Sequence, residues 1–212
     1  FDFDGVILES SDIKTQAFAK LFERLSHDHV EAIIQHHLAN AGISRFKKFD
    51  WVYETLLNER LSAAKREELG ARFSDIVFHQ ILDAPSVAGA QEVMEALHNH
   101  MSLYVISGTP QDELDHIVEK RGFRDFFRGV YGSPRTKPEV IREVLDAHGL
   151  QPDQALCVGD GPSDYRAAVE TGVHFVARDT DEHHAFWVDV GAKMVPDLTN
   201  FEERILGWKI EL

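Results

Sequence analysis

Two aspartates stand one residue apart in Phe1-Asp2-Phe3-Asp4-Gly5-Val6. Carboxylates held that close repel, so both stay ionised only beside a cation, and otherwise one takes up a proton. Either state supports chemistry: one carboxylate as nucleophile or metal ligand, its neighbour as acid and base. Taken alone, the pair is equally a strand-end turn with solvated acids. A second acidic pair, Asp160 and Asp164, occurs in Val158-Gly159-Asp160-Gly161-Pro162-Ser163-Asp164. Hard oxygen ligands of this kind suit Mg²⁺, and a capped helix start has the same composition. Between the two pairs lies Ile106-Ser107-Gly108-Thr109, which the sequence places at the opening of a helix near Gln111. Exposed N–H groups there favour an anion and Ser107 adds a donor, although a simple helix cap explains the same residues. Lys137, in Arg135-Thr136-Lys137-Pro138-Glu139, carries a compact ammonium able to neutralise phosphate and carboxylate together; its plain alternative is a surface lysine.

These residues need a frame. The short apolar runs Leu103–Ile106, Ala155–Val158 and Val173–Ala177 are bounded by turn residues, as strands buried on both faces tend to be. Phe1-Asp2-Phe3 reads as the tail of a buried first strand whose earlier residues precede Phe1. Helical patterns lie between the runs: Val140, Ile141, Val144, Leu145 and His148 share a face and Gly149 stops it, while Asp160 to Thr171 reads as a turn and a helix closed by Gly172. Strand–helix alternation predicts an α/β fold with a parallel sheet and right-handed crossovers. The acidic pairs and the Ser107 segment then fall at strand C-terminal ends, and Lys137 opens the Val140 helix, at the edge where open parallel sheets hold their sites.

From Ile13 to Asp83 the pattern is helical almost throughout. Phe18, Leu21, Phe22 and Leu25 form one stripe, and Trp51, Leu56, Leu57 and Leu61 suggest another. About 70 such residues inside an α/β alternation predict an inserted α-helical domain, since structureless loops that long are uncommon. Pro85, Ser86 and Gly89 supply a return hinge. The expected division is residues 1–12 and 86–212 for the α/β core and 13–85 for the insertion.

Composition narrows the function classes. The chain has 212 residues, 36 acidic and 22 basic, for a formal charge of −14. That balance argues against nucleic-acid binding, where phosphate neutralisation needs a basic surface. The single cysteine, Cys157, excludes an intramolecular disulfide framework and suits a reducing compartment. No apolar run approaches the roughly 20 residues of a membrane helix, and no signal peptide is recognisable. The expectation is a soluble cytoplasmic protein, monomer or homodimer, with no nucleic-acid or membrane partner. Among twelve histidines, His27, His29, His36, His37, His183 and His184 invite a metal reading. No convergent Cys or carboxylate cluster accompanies them, so they read as surface residues, with His183 and His184, after the Val173 strand, also able to rim the site.

In order, Asp-x-Asp-Gly-Val, a strand-end serine, Lys-Pro and Gly-Asp-x-x-x-Asp resemble the four motifs of the haloacid dehalogenase superfamily, and the resemblance spans essentially the whole chain. It implies a Rossmann-like parallel sheet flanked by helices, with the helical insertion as a cap over the site. By the same resemblance Asp2 would be the nucleophile that forms an aspartyl-phosphate, and Asp4 the acid and base. Mg²⁺ would be held by Asp2, the Asp4 carbonyl and Asp160, with Asp164 behind them. Ser107, Gly108 and Lys137 would bind the phosphoryl oxygens. The second aspartate favours phosphate esters over the dehalogenase and phosphonatase branches, which lack it. Phosphonatases use a cap lysine as a Schiff base, a role for which Lys14, Lys47 and Lys48 are the formal candidates.

Gly42-Ile43-Ser44-Arg45 resembles a stretch of β-phosphoglucomutase caps whose arginine binds a second phosphate, so Arg45 is the candidate reader of a distal anionic group. A helix-end arginine in an ordinary salt bridge fits it equally well. Where those mutases carry a cap-linker histidine, this chain has Lys14, which favours a phosphatase over a mutase and brings Lys14 itself toward the site. The implied function is Mg²⁺-dependent hydrolysis of a small phosphorylated metabolite. The rivals are a phosphomutase and a non-catalytic binding protein of the same fold. The charge of −14 then disfavours only a long polyanion, because a small ester needs local compensation from Mg²⁺, Lys137 and Arg45.

Overall fold

The computed structural model describes residues 1–207. Its strands are β1 Tyr104–Pro110, β2 Gly129–Ser133, β3 Leu156–Gly159, β4 His174–Arg178 and β5 Lys193–Val195. All pair in parallel, β1 with β2 and β3 with β4 and β5. The first two residues join these groups. Phe1 N–H donates to Tyr104 O at 2.8 Å and Phe1 O accepts from Ile106 N–H at 3.0 Å, while Asp2 N–H donates to Val158 O at 2.8 Å. Phe1–Asp2 therefore runs between β1 and β3, at the centre of one layer, and the expected first strand is realised as this short bridging segment.

The three apolar runs are strands. β2 was not expected because Gly129 and Gly132 interrupt it, and β5 because three residues carry no periodicity. β1 also differs from expectation: it extends through Pro110, and exposure alternates along it with Val105, Ser107 and Thr109 on the buried face. Ser107 is a strand residue and the next helix starts at Gln111, both as expected, but the strand does not stop at Ser107: Thr109 continues it instead of opening the helix.

Helices α5 Ala90–Leu97, α6 Gln111–Lys120, α7 Lys137–His148, α8 Pro162–Thr171, α9 His184–Val190 and α10 Phe201–Gly207 accompany the strands. Each strand contributes one buried valine to the main core: Val105, Val130, Val158, Val176 and Val195. A smaller core joins Ile141 and Leu145 of α7 to Ala167 and Ala168 of α8. Residues buried on both faces explain why the strands read as continuous apolar runs.

Before α5 come α1 Ser11–Leu21, α2 His27–Ala39, α3 Arg45–Trp51 with a π-helical continuation over Val52–Leu56, and α4 Ala63–Asp83. They form the inserted helical cap. α1 packs on α2 and α4, and α3 on α4. At their centre Phe18 lies 4.8 Å from Phe73 and 5.8 Å from Phe49, ring centroid to centroid. The second expected stripe is cut short: Asn58 takes a positive φ of 51° and Leu61 lies in the connection before α4. The outgoing and returning chains run side by side, with Val87 N–H donating to Ile7 O at 3.0 Å and Glu9 N–H to Pro85 O at 2.9 Å. Among the described residues no helix is long and apolar enough to cross a membrane.

Candidate active site

The two acidic pairs converge. Asp2 is fixed by the sheet through its backbone, and its carboxylate accepts from Phe3 N–H at 2.8 Å and faces Lys137 Nζ at 2.9 Å. Lys137 also pairs with Asp164. Thr136 closes a capping box with Glu139, which sets Lys137 in the first turn of α7. Asp164, in the first turn of α8, accepts from Gly161 N–H at 3.2 Å. Asp160 accepts from the Ser11 hydroxyl at 2.7 Å. The turn after Asp4 presses on Asp160: Gly5 has φ +74°, and a Cβ there would lie 1.9 Å from Asp160 Oδ2. Both conformation and space demand glycine.

Carboxylate oxygens of Asp2, Asp160 and Asp164 lie within 4.8 Å of one another, and all three residues are buried. Burial, followed by repulsion from Asp164, pushes the Asp2 carboxyl up to about 7 against the pull of Lys137. Burial and Asp2 do the same to Asp160, also to about 7. Asp164 is raised by burial too. Three carboxylates against one ammonium leave two negative charges in a dry site, and all the donors are hard oxygens. That set fits a divalent cation of the Mg²⁺ type.

Asp4 has a different environment. Its carboxylate pairs with Lys14 and accepts from Ser10 Oγ at 2.7 Å, Thr109 Oγ1 at 3.2 Å and Ser107 Oγ at 3.3 Å. Lys14 also donates to Thr109 Oγ1 at 2.6 Å. Burial alone would raise the Asp4 carboxyl, but the Lys14 charge and these hydrogen bonds outweigh it and hold it below the ordinary carboxylate range. The two neighbouring acids therefore shift in opposite directions, and Lys14 keeps Asp4 as the carboxylate.

The cap supplies the opposite wall of one pocket, lined by Asp2, Asp4, Gly108 and Asp160 on one side and by Lys14, His37, Ile43, Arg45 and Lys48 on the other. The loop at Gly42 rests on the core: with φ +83°, a Cβ there would stand 2.3 Å from Ser163 Oγ and 3.0 Å from Lys137 Nζ. Arg45 lines the pocket, but its guanidinium donates to Glu113 Oε1 at 2.6 Å and Ser74 Oγ at 2.9 Å and lies over the Phe73 ring. One turn later, Lys48 Nζ meets His37 Nδ1 at 2.8 Å.

All nine expected site residues gather around this pocket or directly beneath it. Ser107 is buried under Asp4, to which its hydroxyl donates, while it accepts from Thr109 N–H at 3.1 Å. The reading of the histidines as surface residues fails for His37, which is buried and lines the pocket, while His183, also buried, lines the pocket as its alternative placement at the site expected. Sequence reasoning missed the support of Asp4 by Ser10 and Thr109, the Ser11–Asp160 contact, Glu113, and the Lys48–His37 pair. Only Lys48 had a signal: it lies three positions after Arg45 and so shares its helix face.

Residues 1–178 match the family model described as haloacid dehalogenase-like hydrolase. A phosphoglycolate phosphatase of Photobacterium profundum is 26% identical over 187 residues, covering 83% of this chain and 80% of the relative. A 5'-nucleotidase of Pseudomonas aeruginosa is 26% identical over 181 residues, covering 82% and 78%. Among solved structures, a β-phosphoglucomutase from Clostridium difficile superposes with TM-score 0.75 at 15% identity, covering 99% of this chain and 95% of that one. A HAD hydrolase from Entamoeba histolytica gives TM-score 0.74 at 13% identity, covering 94% and 92%.

Proposed function

The chain belongs to the haloacid dehalogenase-like hydrolase family, and from that premise we propose that it is a Mg²⁺-dependent phosphatase of small phosphorylated metabolites. The observation that carries this reading is the contrast between Asp2, in the acidic cluster beside Lys137, and Asp4, held by Lys14.

In the proposed reaction the Asp2 carboxylate attacks phosphorus in line, an acyl phosphate forms, and the P–O bond to the alcohol breaks. Asp4, a carboxylate while Lys14 is on it, takes a proton from solvent as substrate draws that lysine away, and gives it to the departing oxygen. It then takes a proton from the water that attacks the acyl phosphate, and inorganic phosphate leaves with Asp2 regenerated. Lys137, Gly108 and Ser107 orient the phosphoryl group, and the Gly42 loop keeps bulk water out. Asp2, Asp160 and the Asp4 carbonyl, with Asp164 behind them, would hold Mg²⁺, which supplies charge neutralisation for phosphoryl transfer. The cap is taken as residues 13–85 and the core as 1–12 and 86–212. The names of the phosphatase relatives support the reaction class, and Lys14 in contact with Asp4 favours hydrolysis over a mutase cycle.

The test is release of inorganic phosphate from p-nitrophenyl phosphate, expected with Mg²⁺ and abolished by a chelator. Metal-independent release contradicts the reading. Conversion of a sugar phosphate to its isomer without phosphate release would identify a mutase instead.

A further inference from the structure

We propose that Ser11 is a positioning residue for Asp160, and that through it the cap and the divalent-cation site are coupled, so that closing the cap tightens cation binding. The inference rests on the cation site proposed above and adds to it a residue that is not one of its ligands.

Ser10 and Ser11 stand where the outgoing linker becomes α1, and each serves a different acid. Ser10 Oγ donates to Asp4 Oδ1 at 2.7 Å, and Ser11 Oγ donates to Asp160 Oδ2 at 2.7 Å. Gly5 makes room for the second contact. A Cβ there would lie 1.9 Å from Asp160 Oδ2 and 2.5 Å from Ser11 Oγ, so one notch in the turn after Asp4 receives both groups. The other two carboxylates of the cluster are held from within the core. Asp2 has Phe3 N–H and Lys137, and Asp164 has Gly161 N–H and Lys137. For the Asp160 carboxylate, the Ser11 hydroxyl is the one hydrogen-bond donor among the described residues. A donor behind a ligating carboxylate sets its orientation and strengthens metal binding.

That donor rides on the cap. α1 opens at Ser11 and packs on α2 and α4. The outgoing and returning linkers pair just before it, through Val87 N–H on Ile7 O and Glu9 N–H on Pro85 O. A cap that turns as a body about these paired linkers carries Ser11 away from Asp160 and leaves that carboxylate without its donor. Asp160 is therefore oriented for a cation only beneath a closed cap. By linkage, a bound cation favours closure by the same factor by which closure favours the cation.

The experiment titrates Mg²⁺ into substrate-free protein by calorimetry, with Mn²⁺ followed by paramagnetic resonance, so that affinity is read without turnover. Ser11→Ala should raise the dissociation constant about tenfold and leave the metal-free melting temperature unchanged. Ser11→Thr, which keeps the hydroxyl, should recover most of the affinity. Hydrogen exchange reads the coupling: Mg²⁺ should slow exchange in α1 and the Gly42 loop of wild type, and do so less in Ser11→Ala. An unchanged affinity in Ser11→Ala, or an equal loss in Ser11→Thr, overturns the positioning role. A cation effect on cap exchange that is absent from wild type, or equal in the two proteins, overturns the coupling. If Ser11→Ala does not fold, Ser11→Cys replaces it, its thiol being a weak donor, and affinity equal to wild type overturns the role in the same way. Wild type that binds neither cation removes the cation site and the inference together, whereas equal binding by wild type and Ser11→Ala removes Ser11 alone.

Discussion

Arg45 on α3 and Glu113 on α6 meet at 2.6 Å, with side chains 4% and 9% exposed, and tie the helical cap to the parallel-sheet domain. Ser74 on α4 completes the junction, accepting from Arg45 and donating to Glu113 Oε2 at 2.7 Å. A guanidinium held this way orders the pocket wall.

Removing Glu113 strands that guanidinium. Glu113→Ala should destabilise the protein by about 3–5 kcal/mol, the usual penalty for unpairing one member of a buried ion pair. Glu113→Gln, which keeps a hydrogen-bond acceptor, should lose less. Equilibrium denaturation checks both, and a change within about 0.5 kcal/mol for the alanine variant would mean the junction contributes nothing measurable.

Lys14→Met should raise the proton affinity of Asp4, because desolvation would then be opposed only by the hydroxyl hydrogen bonds. The limb of the pH–rate profile governed by Asp4 moves to higher pH, and kcat falls by about 10²-fold as the acid/base group loses its tuning. An unshifted limb would show that Lys14 does not set Asp4.

The acidic cluster makes stability depend on pH and on metal. Burial, with repulsion from Asp164 for Asp2 and from Asp2 for Asp160, raises both carboxyls to about 7 in the folded chain. The folded state then binds more protons than the unfolded one, whose ordinary value is 3.8, so metal-free protein should lose stability as pH rises from about 4 to about 7 and level off above. Mg²⁺ should recover that loss, raising the melting temperature more at pH 8 than at pH 5, where protons compete for the same oxygens. An equal Mg²⁺ effect at both pH values would contradict a carboxylate-bound cation.

The framework was legible because strands buried on both faces and amphipathic helices leave opposite patterns. Val158 and Val176 marked their strands, and Phe18, Leu21 and Phe22 their helix. Gly5 stood out as part of a motif, and its positive φ against Asp160 gives the physical cause. Interactions between segments distant in sequence were not legible. Ser10 on Asp4 is set by the turn at Gly5, Glu113 on Arg45 by the docking of α6 on the cap, and His37 on Lys48 by the packing of α2 beside α3. β5 escaped because three residues carry no period, and β1 ran on past Ser107 through Thr109, whose type suggested a helix opening.

The central claim is that Asp2 carries the phosphoryl group during turnover. Enzyme turning over p-nitrophenyl phosphate with Mg²⁺ should be quenched in acid, digested and mapped by mass. We expect a phosphoryl increment on the Asp2 peptide that hydroxylamine removes, and Asp2→Asn should show neither the increment nor turnover above roughly a thousandth of wild type. An increment on another residue, or wild-type turnover by Asp2→Asn, would contradict the account.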